Sequence, residues 1–212
     1  MPRRLLIAFI FVLCLAVYAP PAGSADGAAG LMVAGSSTSP VKLEVFSDFE
    51  CPGCRNLFFN TIQPVLKNYK DGVSVVYYEF PLDMHPYARP ASRYVAAAAR
   101  LGDQKKLLTL FEALFTDQDK WAEDGNLEVS VSKAFSPEDL QKVKNILETE
   151  REKIEQEIER DIQLGIDRKI NATPTLFLNH AGKQERVVAP PGVRDIYTVL
   201  SWRLNGLLGQ QK

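Results

Sequence analysis

The chain has 212 residues, of which 46% are hydrophobic and 24% charged, and its formal net charge is −1. This length and composition suit a globular protein of one domain with a sizeable core. The near-neutral charge, without a basic stripe interleaved with aromatic residues, excludes a typical nucleic-acid-binding protein.

The first 25 residues have the pattern of a secretory signal peptide. Arg3 and Arg4 precede an apolar run, residues 5–17, and small residues lie just before and at Ala25. We therefore expect cleavage after Ala25 and a periplasmic or otherwise extracytoplasmic location. An uncleaved membrane anchor is the alternative, but the apolar run is short for a span, which needs about 20 residues.

Residues 26–40, rich in Gly, Ala, Ser and Thr, are predicted to be a flexible leader to the domain, which is expected at 41–212. An apolar strand at 41–46 then leads into a helix from about Pro52 to Lys70. A β-branched and aromatic strand at 73–80 follows. A strand, a helix and a strand in this order form a βαβ unit with parallel strands.

Helical patterns dominate the middle of the chain. Helices are predicted at 91–101 and 106–115. A further helical segment begins with Ser136 as N-cap and Pro137 as its first residue. A polar gap near 148–153 divides this segment into two helices. Residues 121–131 have no clear period and are predicted to be irregular. The remaining segments are a strand at 176–178, a hairpin turn at 179–182, a strand at 184–188 and a last helix from about 193 to 204. The helical block, at about 87–169, is interpreted as an insertion between the halves of one α/β sheet.

Two cysteines carry the chemical signal, since Cys14 would leave with the signal peptide. Cys51 is predicted at the N-terminus of the first helix, where unpaired N–H groups and the positive end of the helix dipole stabilise a thiolate. Cys54 lies one turn further along the same face. This arrangement favours a redox dithiol. A structural disulfide, half of a zinc site and a pair of inert buried thiols are the alternatives.

Three segments resemble the DsbA-like branch of the thiol–disulfide oxidoreductases. Residues 46–54, Phe-Ser-Asp-Phe-Glu-Cys-Pro-Gly-Cys, resemble the active-site segment of that family. Residues 80–82 and 85–88, Phe-Pro-Leu and His-Pro-Tyr-Ala, resemble the start of its helical insertion, and residues 173–175, Thr-Pro-Thr, resemble its cis-proline loop. The resemblance covers about 41–208. It implies a thioredoxin fold, an α/β architecture of βαβ and ββα units with a helical insertion between them.

The resemblance also implies roles. Cys51 would be the exposed nucleophile, and Cys54 the buried thiol that resolves mixed disulfides and pairs with Cys51 in the oxidised state. The active-site loop would comprise Pro52 and Gly53 together with a cis bond between Thr173 and Pro174. The implied activity is that of a dithiol oxidase that needs no cofactor or metal and forms disulfides in exported client proteins with cysteines. A quinone-linked membrane partner would re-oxidise it, and the chain is expected to be a monomer.

The sequence departs from the family pattern in three respects. No histidine lies between the cysteines, and the buried acid that many members carry six residues before the first cysteine is replaced by Val45. Glu44 is predicted on the opposite face of the strand and Glu50 in solvent, so the proton acceptor for Cys54 is unassigned. The third departure is Ala172, where the family usually has Gly. These differences bear on the redox direction more than on the fold.

Rival functions follow from the same residues. The dithiol could instead serve a reductase or an isomerase, although no separate dimerisation domain is expected before the fold. A copper(I) chaperone that combines the cysteines with a Met or His is the alternative from another class. Of the two histidines, His180 is predicted to be exposed in a hairpin turn. His85 is predicted to shape its loop, with a role near the dithiol as the alternative.

Overall fold

A computed structural model describes residues 30–191, 193 and 195–209 of the chain. The predicted signal peptide and its cleavage site lie outside these residues. Five strands are described: β1 (Leu31–Ala34), β2 (Val41–Ser47), β3 (Val73–Glu79), β4 (Thr175–His180) and β5 (Lys183–Arg186). The helices are α1 (Pro52–Leu57), α2 (Gln63–Tyr69), α3 (Ala88–Ala99), α4 (Gln104–Thr116), α5 (Gln118–Asp124), α6 (Leu127–Ser132), α7 (Pro137–Thr149), α8 (Arg151–Asp167) and α9 (Ile196–Leu207).

The strands form one sheet in the order β1-β3-β2-β4-β5, with β2 at its centre. Strand β2 runs parallel to β3, in a register that pairs Val41 with Val73 and Ser47 with Glu79. It runs antiparallel to β4, which in turn pairs with β5 as a hairpin. A βαβ unit, β2 to β3, and a ββα unit, β4 to α9, therefore join through the pairing of β2 with β4, and the predicted α/β fold class is confirmed. Helices α3 to α8 connect the two units and fall within the predicted insertion.

The flexible leader predicted for 26–40 is wrong over Leu31–Ala34. These residues form β1, which pairs antiparallel with the edge of β3 and places Leu31 opposite Tyr77. Val33 is fully buried, so the strand contributes to the core. The short run Leu-Met-Val lies among Gly, Ser and Thr residues and has no detectable period. Its structure comes from the hydrogen bonds that the edge of β3 offers.

The helix predicted from Pro52 to Lys70 is interrupted just before Pro64. Between α1 and α2, residues Phe58–Ile62 form a π-helical turn, in which the Gln63 N–H donates to the Phe58 carbonyl. Proline has no N–H to donate to the carbonyl four residues earlier, and a wider turn accommodates this gap. The helix stays continuous enough to pack one face, with Phe58 and Ile62 buried against the core.

Other differences from the predicted elements are local. Residues 121–131, predicted to be irregular, contain the second half of α5 and most of α6, which Gly125 separates with a left-handed φ of 76°. These helices are too short to show a period, and the buried indole of Trp121 anchors the first of them. The last helix begins at Ile196, three residues later than predicted, because the Asp195 side chain caps it by accepting from the Tyr197 and Thr198 N–H groups.

The two faces of the sheet differ. One face packs against α1 and the helical insertion and forms the main core. The other face carries a smaller aromatic cluster in which Phe46 stacks on Tyr78 at a centroid distance of 4.7 Å. Glu44 lies on this second face, as predicted, and its carboxylate pairs with Lys42 at 2.7 Å and Arg168 at 2.6 Å. Burial alone would raise the pKa of Glu44, but these two cations lower it.

Two carboxyl groups are buried where β3 meets the insertion. Glu79 is 5% exposed and accepts a hydrogen bond from the Ser92 hydroxyl, while Asp161 accepts one from the Glu79 N–H at 3.0 Å. Burial raises the pKa of Glu79 to about 8 and that of Asp161 to about 7. Each group therefore binds its proton more tightly in the folded chain than in the unfolded chain.

This burial predicts that stability falls as pH rises. For a carboxyl whose folded pKa is raised, the stabilisation is complete below the unfolded pKa and disappears as pH approaches the folded value. Glu79→Gln should therefore flatten the decline between about pH 4.5 and 8 and raise the free energy of unfolding at about pH 8 by on the order of 3 kcal/mol. In this variant the titration of Asp161 should still make the free energy of unfolding decline with pH, but less steeply. Urea unfolding across this pH range would measure it, with the exposed Glu148→Gln as the matched control. A Glu79→Gln variant that declines as steeply as the parent chain would contradict the prediction.

Candidate active site

Cys51 lies at the start of α1, as predicted. It occupies the N-cap position, with Pro52 as the first helical residue, and its carbonyl accepts from the Cys54 N–H at 3.0 Å and the Arg55 N–H at 3.2 Å. Its sulfur therefore faces the end of the helix where N–H groups have no carbonyl partner within the helix. The backbone N–H groups of Gly53 and Cys54 lower the pKa of Cys51.

The two sulfurs have opposite environments. Both cysteines are free thiols; Cys51 is 9% exposed and Cys54 only 1%. The pKa of Cys51 is lowered to about 5, mainly because the Cys54 thiol donates a hydrogen bond to its sulfur. Burial acts in the opposite direction and raises the pKa. Burial raises the pKa of Cys54 well above its ordinary value, and the neighbouring Cys51 raises it further. The pair therefore holds one thiolate and one thiol at neutral pH.

The loop before β4 completes the site. The bond between Thr173 and Pro174 is cis, in agreement with the expectation, and the Thr173 carbonyl oxygen lies 3.5 Å from the Cys51 sulfur. A Cβ atom at position 53 would lie 3.1 Å from Pro174 Cδ and 3.6 Å from the Cys51 sulfur. Glycine thus permits the close approach of the two loops, whereas any side chain at this position would press on Pro174.

Thr173 also presents its hydroxyl to the site. The oxygen is buried and has no hydrogen-bond partner among the described residues. The Thr173 side chain acts to lower the pKa of Cys51, so this hydroxyl is the group available to donate to the thiolate. Cys51, Gly53, Thr173 and Pro174 are therefore brought together in space, while Pro52 is exposed at the start of α1.

Polar groups of Ser47, Asp48 and Tyr77 surround Cys54, whereas position 45 carries no acid. Val45 is fully buried and lies opposite Tyr77 in the register of β2 and β3. The Asp48 N–H lies 3.4 Å from the Cys54 sulfur, and the Ser47 hydroxyl lowers the pKa of Cys54. Tyr77 is close enough for a Cys54 thiolate to raise its pKa, which burial already raises well above the ordinary value.

Sequence reasoning missed two side chains that hold the active-site segment. The Gln118 amide donates to the carbonyls of Phe49, at 2.7 Å, and Cys51, at 3.1 Å. The carboxylate of Asp48 accepts from the N–H groups of Glu50, at 2.7 Å, and Cys51, at 3.1 Å. The Asp48 turn could have been predicted, because Asp commonly accepts from the N–H two residues ahead. Nothing in the sequence indicates Gln118, which is 67 residues from Cys51.

Two further expectations need correction. Glu50 is half-buried rather than in solvent, since its carboxylate accepts from the Tyr87 N–H at 2.7 Å. His180 is the last residue of β4 rather than part of the turn, and it is half-buried. His85 lies at the site, where its Nδ1 is 2.7 Å from Asp48 Oδ2. His85 therefore ties its loop to the active-site segment through Asp48, and a role toward the dithiol stays a hypothesis.

A thioredoxin-type sheet with a Cys-x-x-Cys dithiol at the start of its first helix defines the class of protein. A family model described as thioredoxin matches residues 28–187. Because this match spans more than half of the chain, the chain belongs to that thioredoxin family.

Solved structures confirm the DsbA-like resemblance at the level of the fold. The thiol-disulfide exchange protein α-DsbA2 from Wolbachia pipientis superposes with a TM-score of 0.64 at 18% identity, over 82% of this chain and 85% of that chain. BdbD from Bacillus subtilis superposes with a TM-score of 0.62 at 17% identity, over 85% of this chain and 93% of that chain. DsbA2 from Pseudomonas aeruginosa superposes with a TM-score of 0.54 at 21% identity, over 84% of this chain and 93% of that chain.

A curated relative has a different context. The Na(+)/H(+) antiporter NhaA 1 of Mycolicibacterium gilvum is 30% identical over 157 residues, which are 73% of this chain but 24% of the antiporter. The chain therefore spans about a quarter of the length of that relative. Within the described residues, no helix is both long and apolar enough to cross a membrane. The same residues contain no cluster of three or more His, Cys, Asp or Glu side chains suited to a metal ion.

The asymmetry of the sulfurs predicts how Cys51 depends on Cys54. Cys54→Ala removes the thiol donor and should raise the pKa of Cys51 by about one to two units, the equivalent of one hydrogen bond to a charged group. Cys54→Ser keeps an O–H donor and should raise it less. The pH dependence of the alkylation rate would measure both values. Equal pKa values in the Ala and Ser variants would contradict the role of this hydrogen bond.

Proposed function

We propose that this chain is an extracytoplasmic dithiol oxidase that forms disulfides in exported proteins. The observation that carries the proposal is the stabilised Cys51 thiolate, with a pKa of about 5, beside a buried Cys54 thiol. Stabilising the thiolate stabilises the reduced dithiol, and a couple whose reduced form is stable is an oxidant. The DsbA-type fold supports the same chemistry. The predicted signal peptide supports a location where disulfides persist.

The reaction begins from the Cys51–Cys54 disulfide. A client thiolate attacks the Cys51 sulfur, the disulfide breaks, and Cys54 leaves and takes up a proton. The product is a mixed disulfide between the client and Cys51. A second client thiolate then attacks the client sulfur of this bond, which releases the client disulfide and the Cys51 thiolate. The client is oxidised by two electrons and the dithiol is reduced by two.

The surroundings of the sulfurs suit these steps. Cys51 is the more exposed of the two sulfurs and is a good leaving group because its thiolate is stabilised. The loop at Thr173 and Pro174 lies against Cys51, so the Thr173 backbone is placed to pair with an extended client chain. Re-oxidation requires an acceptor of two electrons, for which a quinone-linked membrane protein is the proposed partner. The chain is proposed to act as a monomer.

The strength of the oxidant follows from the pKa of Cys51. A value of about 5 lies between the values of about 7 for thioredoxin and about 3.5 for DsbA. Relative to a thiol that titrates at about 7, a lower pKa stabilises the thiolate and with it the reduced form of the couple.

We therefore expect a moderate oxidant. Equilibration of the Cys51–Cys54 couple with glutathione should give a potential between those of thioredoxin, about −270 mV, and DsbA, about −120 mV. Alkylation of the quenched mixtures followed by mass spectrometry would count the reduced fraction. A potential at or below that of thioredoxin would contradict the oxidase proposal and favour the reductase.

The division of labour between the cysteines gives a second test. Cys54→Ala should accumulate mixed disulfides with a secretory protein that carries disulfides, because the Cys51 thiolate attacks a client disulfide, one client thiolate leaves, and no Cys54 thiol remains to resolve the product. Cys51→Ala should accumulate none, since Cys54 is 1% exposed. Non-reducing gel electrophoresis after acid quenching would compare the two variants. Adducts that form on Cys54 and not on Cys51 would reverse the assignment.

A further inference from the structure

Asp48 joins the active-site segment to the loop that precedes α3. Its side chain is completely buried. One carboxylate oxygen accepts from the N–H groups of Glu50 and Cys51, and the other accepts from the Leu82 N–H at 2.8 Å and pairs with His85 Nδ1 at 2.7 Å. This buried carboxylate therefore fixes the position of His85 relative to Cys51.

The pairing also fixes the tautomer of His85. A carboxylate only accepts hydrogen bonds, so Nδ1 carries a proton and donates it, and Nε2 is the atom that gains or loses a proton. The His85 side chain is 17% exposed, which gives it access to solvent protons. The imidazole can therefore change its charge without moving.

His85 and Cys51 contact the same carboxylate, since Asp48 pairs with the imidazole at 2.7 Å and accepts from the Cys51 N–H at 3.1 Å. Three anionic groups act on His85, namely Asp48, Glu50 and the Cys51 thiolate. Burial on its own lowers the pKa of His85, but the hydrogen bond to Asp48 and the charges of these three groups raise it above the usual value. One of them, Cys51, loses its charge when the dithiol is oxidised to the disulfide.

We propose that His85, oriented by Asp48, supplies the positive charge that stabilises the Cys51 thiolate. The cation reaches the sulfur from the loop before α3, whereas the two residues between the cysteines, Pro52 and Gly53, carry none. His85 is a positioning residue in this reaction: it acts on the thiolate through its charge and exchanges no sulfur. The inference rests on the proposed thiol–disulfide chemistry of Cys51 and Cys54.

The interaction between two charges is mutual, which links redox state to protonation. If His85⁺ favours the thiolate, the thiolate favours the proton on His85 by the same free energy. Two-electron reduction of the disulfide then yields the Cys51 thiolate, the Cys54 thiol with one proton, and an additional fraction of a proton on His85. The reduction potential should therefore fall more steeply with pH where His85 titrates than below that range.

The alternative is a purely structural role, in which the hydrogen bond of His85 to Asp48 only holds the loop before α3 against the active-site segment. His85→Asn separates the two roles, because the Asn amide can donate to Asp48 in place of Nδ1 but carries no charge. His180→Asn is the matched control, since the chain has two histidines and His180 lies on β4, away from the contacts described for Asp48. The control also assigns the two imidazole signals in an NMR titration.

Three measurements test the inference. In the full chain, the NMR titration of His85 should give a higher pKa in the reduced protein than in the oxidised protein. His85→Asn should shift the ratio of Cys51 thiol to thiolate by about threefold to tenfold toward the thiol, the effect of one screened charge. The same variant should lose the additional pH dependence of the glutathione equilibrium.

The contrary results are equally distinct. An identical pKa of His85 in both redox states would overturn the inference in the wild-type protein, whether or not the variant folds. An unchanged Cys51 pKa in His85→Asn, with an unfolding transition like that of His180→Asn, would do the same. A strongly reducing Cys51–Cys54 couple would instead refute the oxidase proposal and would leave the His85 measurements interpretable.

Discussion

The Cys51 sulfur lies where the start of α1 meets the loop before β4, and the site depends on this contact between residues 122 positions apart. Strand β2 lies between β3 and β4 at the centre of the sheet and ends beside both segments. The sheet therefore fixes where α1 begins relative to Pro174. The absence of a side chain at Gly53 allows the two loops to approach within van der Waals contact. Loss of that register would separate the thiolate from Thr173.

The chemistry arises from a difference in solvation between two like groups. Both sulfurs lie on the first turn of one helix, yet Cys51 reaches solvent at the surface while Cys54 faces the core. A low-dielectric environment disfavours the charged form of Cys54, and hydrogen bonds favour the charged form of Cys51. Each effect reinforces the other, because the neutral Cys54 thiol is the donor that stabilises the Cys51 thiolate.

Buried carboxyl groups lie between the active-site segment and the helical insertion. Asp48 is buried with its oxygens fully engaged, and its charge contributes to the raised pKa of Glu79 on the adjacent strand. Asp161 on α8 accepts a hydrogen bond from the backbone N–H of Glu79. Buried carboxyl groups cost stability unless they are protonated or well paired. The region that positions His85 and Cys51 thus lies next to groups that weaken the fold as pH rises.

The sequence by itself determined the order of β2, α1, β3, the helical block and the final ββα unit, together with the dithiol and the Thr-Pro site. These features are local, since they depend on periodicity and on residues a few positions apart. Tertiary structure alone decided that Leu31–Ala34 adds a strand to β3, that Gln118 holds the Cys51 carbonyl and that His85 pairs with Asp48. Each of these depends on contacts between residues far apart in the chain, and such contacts exist only once the sheet and the insertion have packed together.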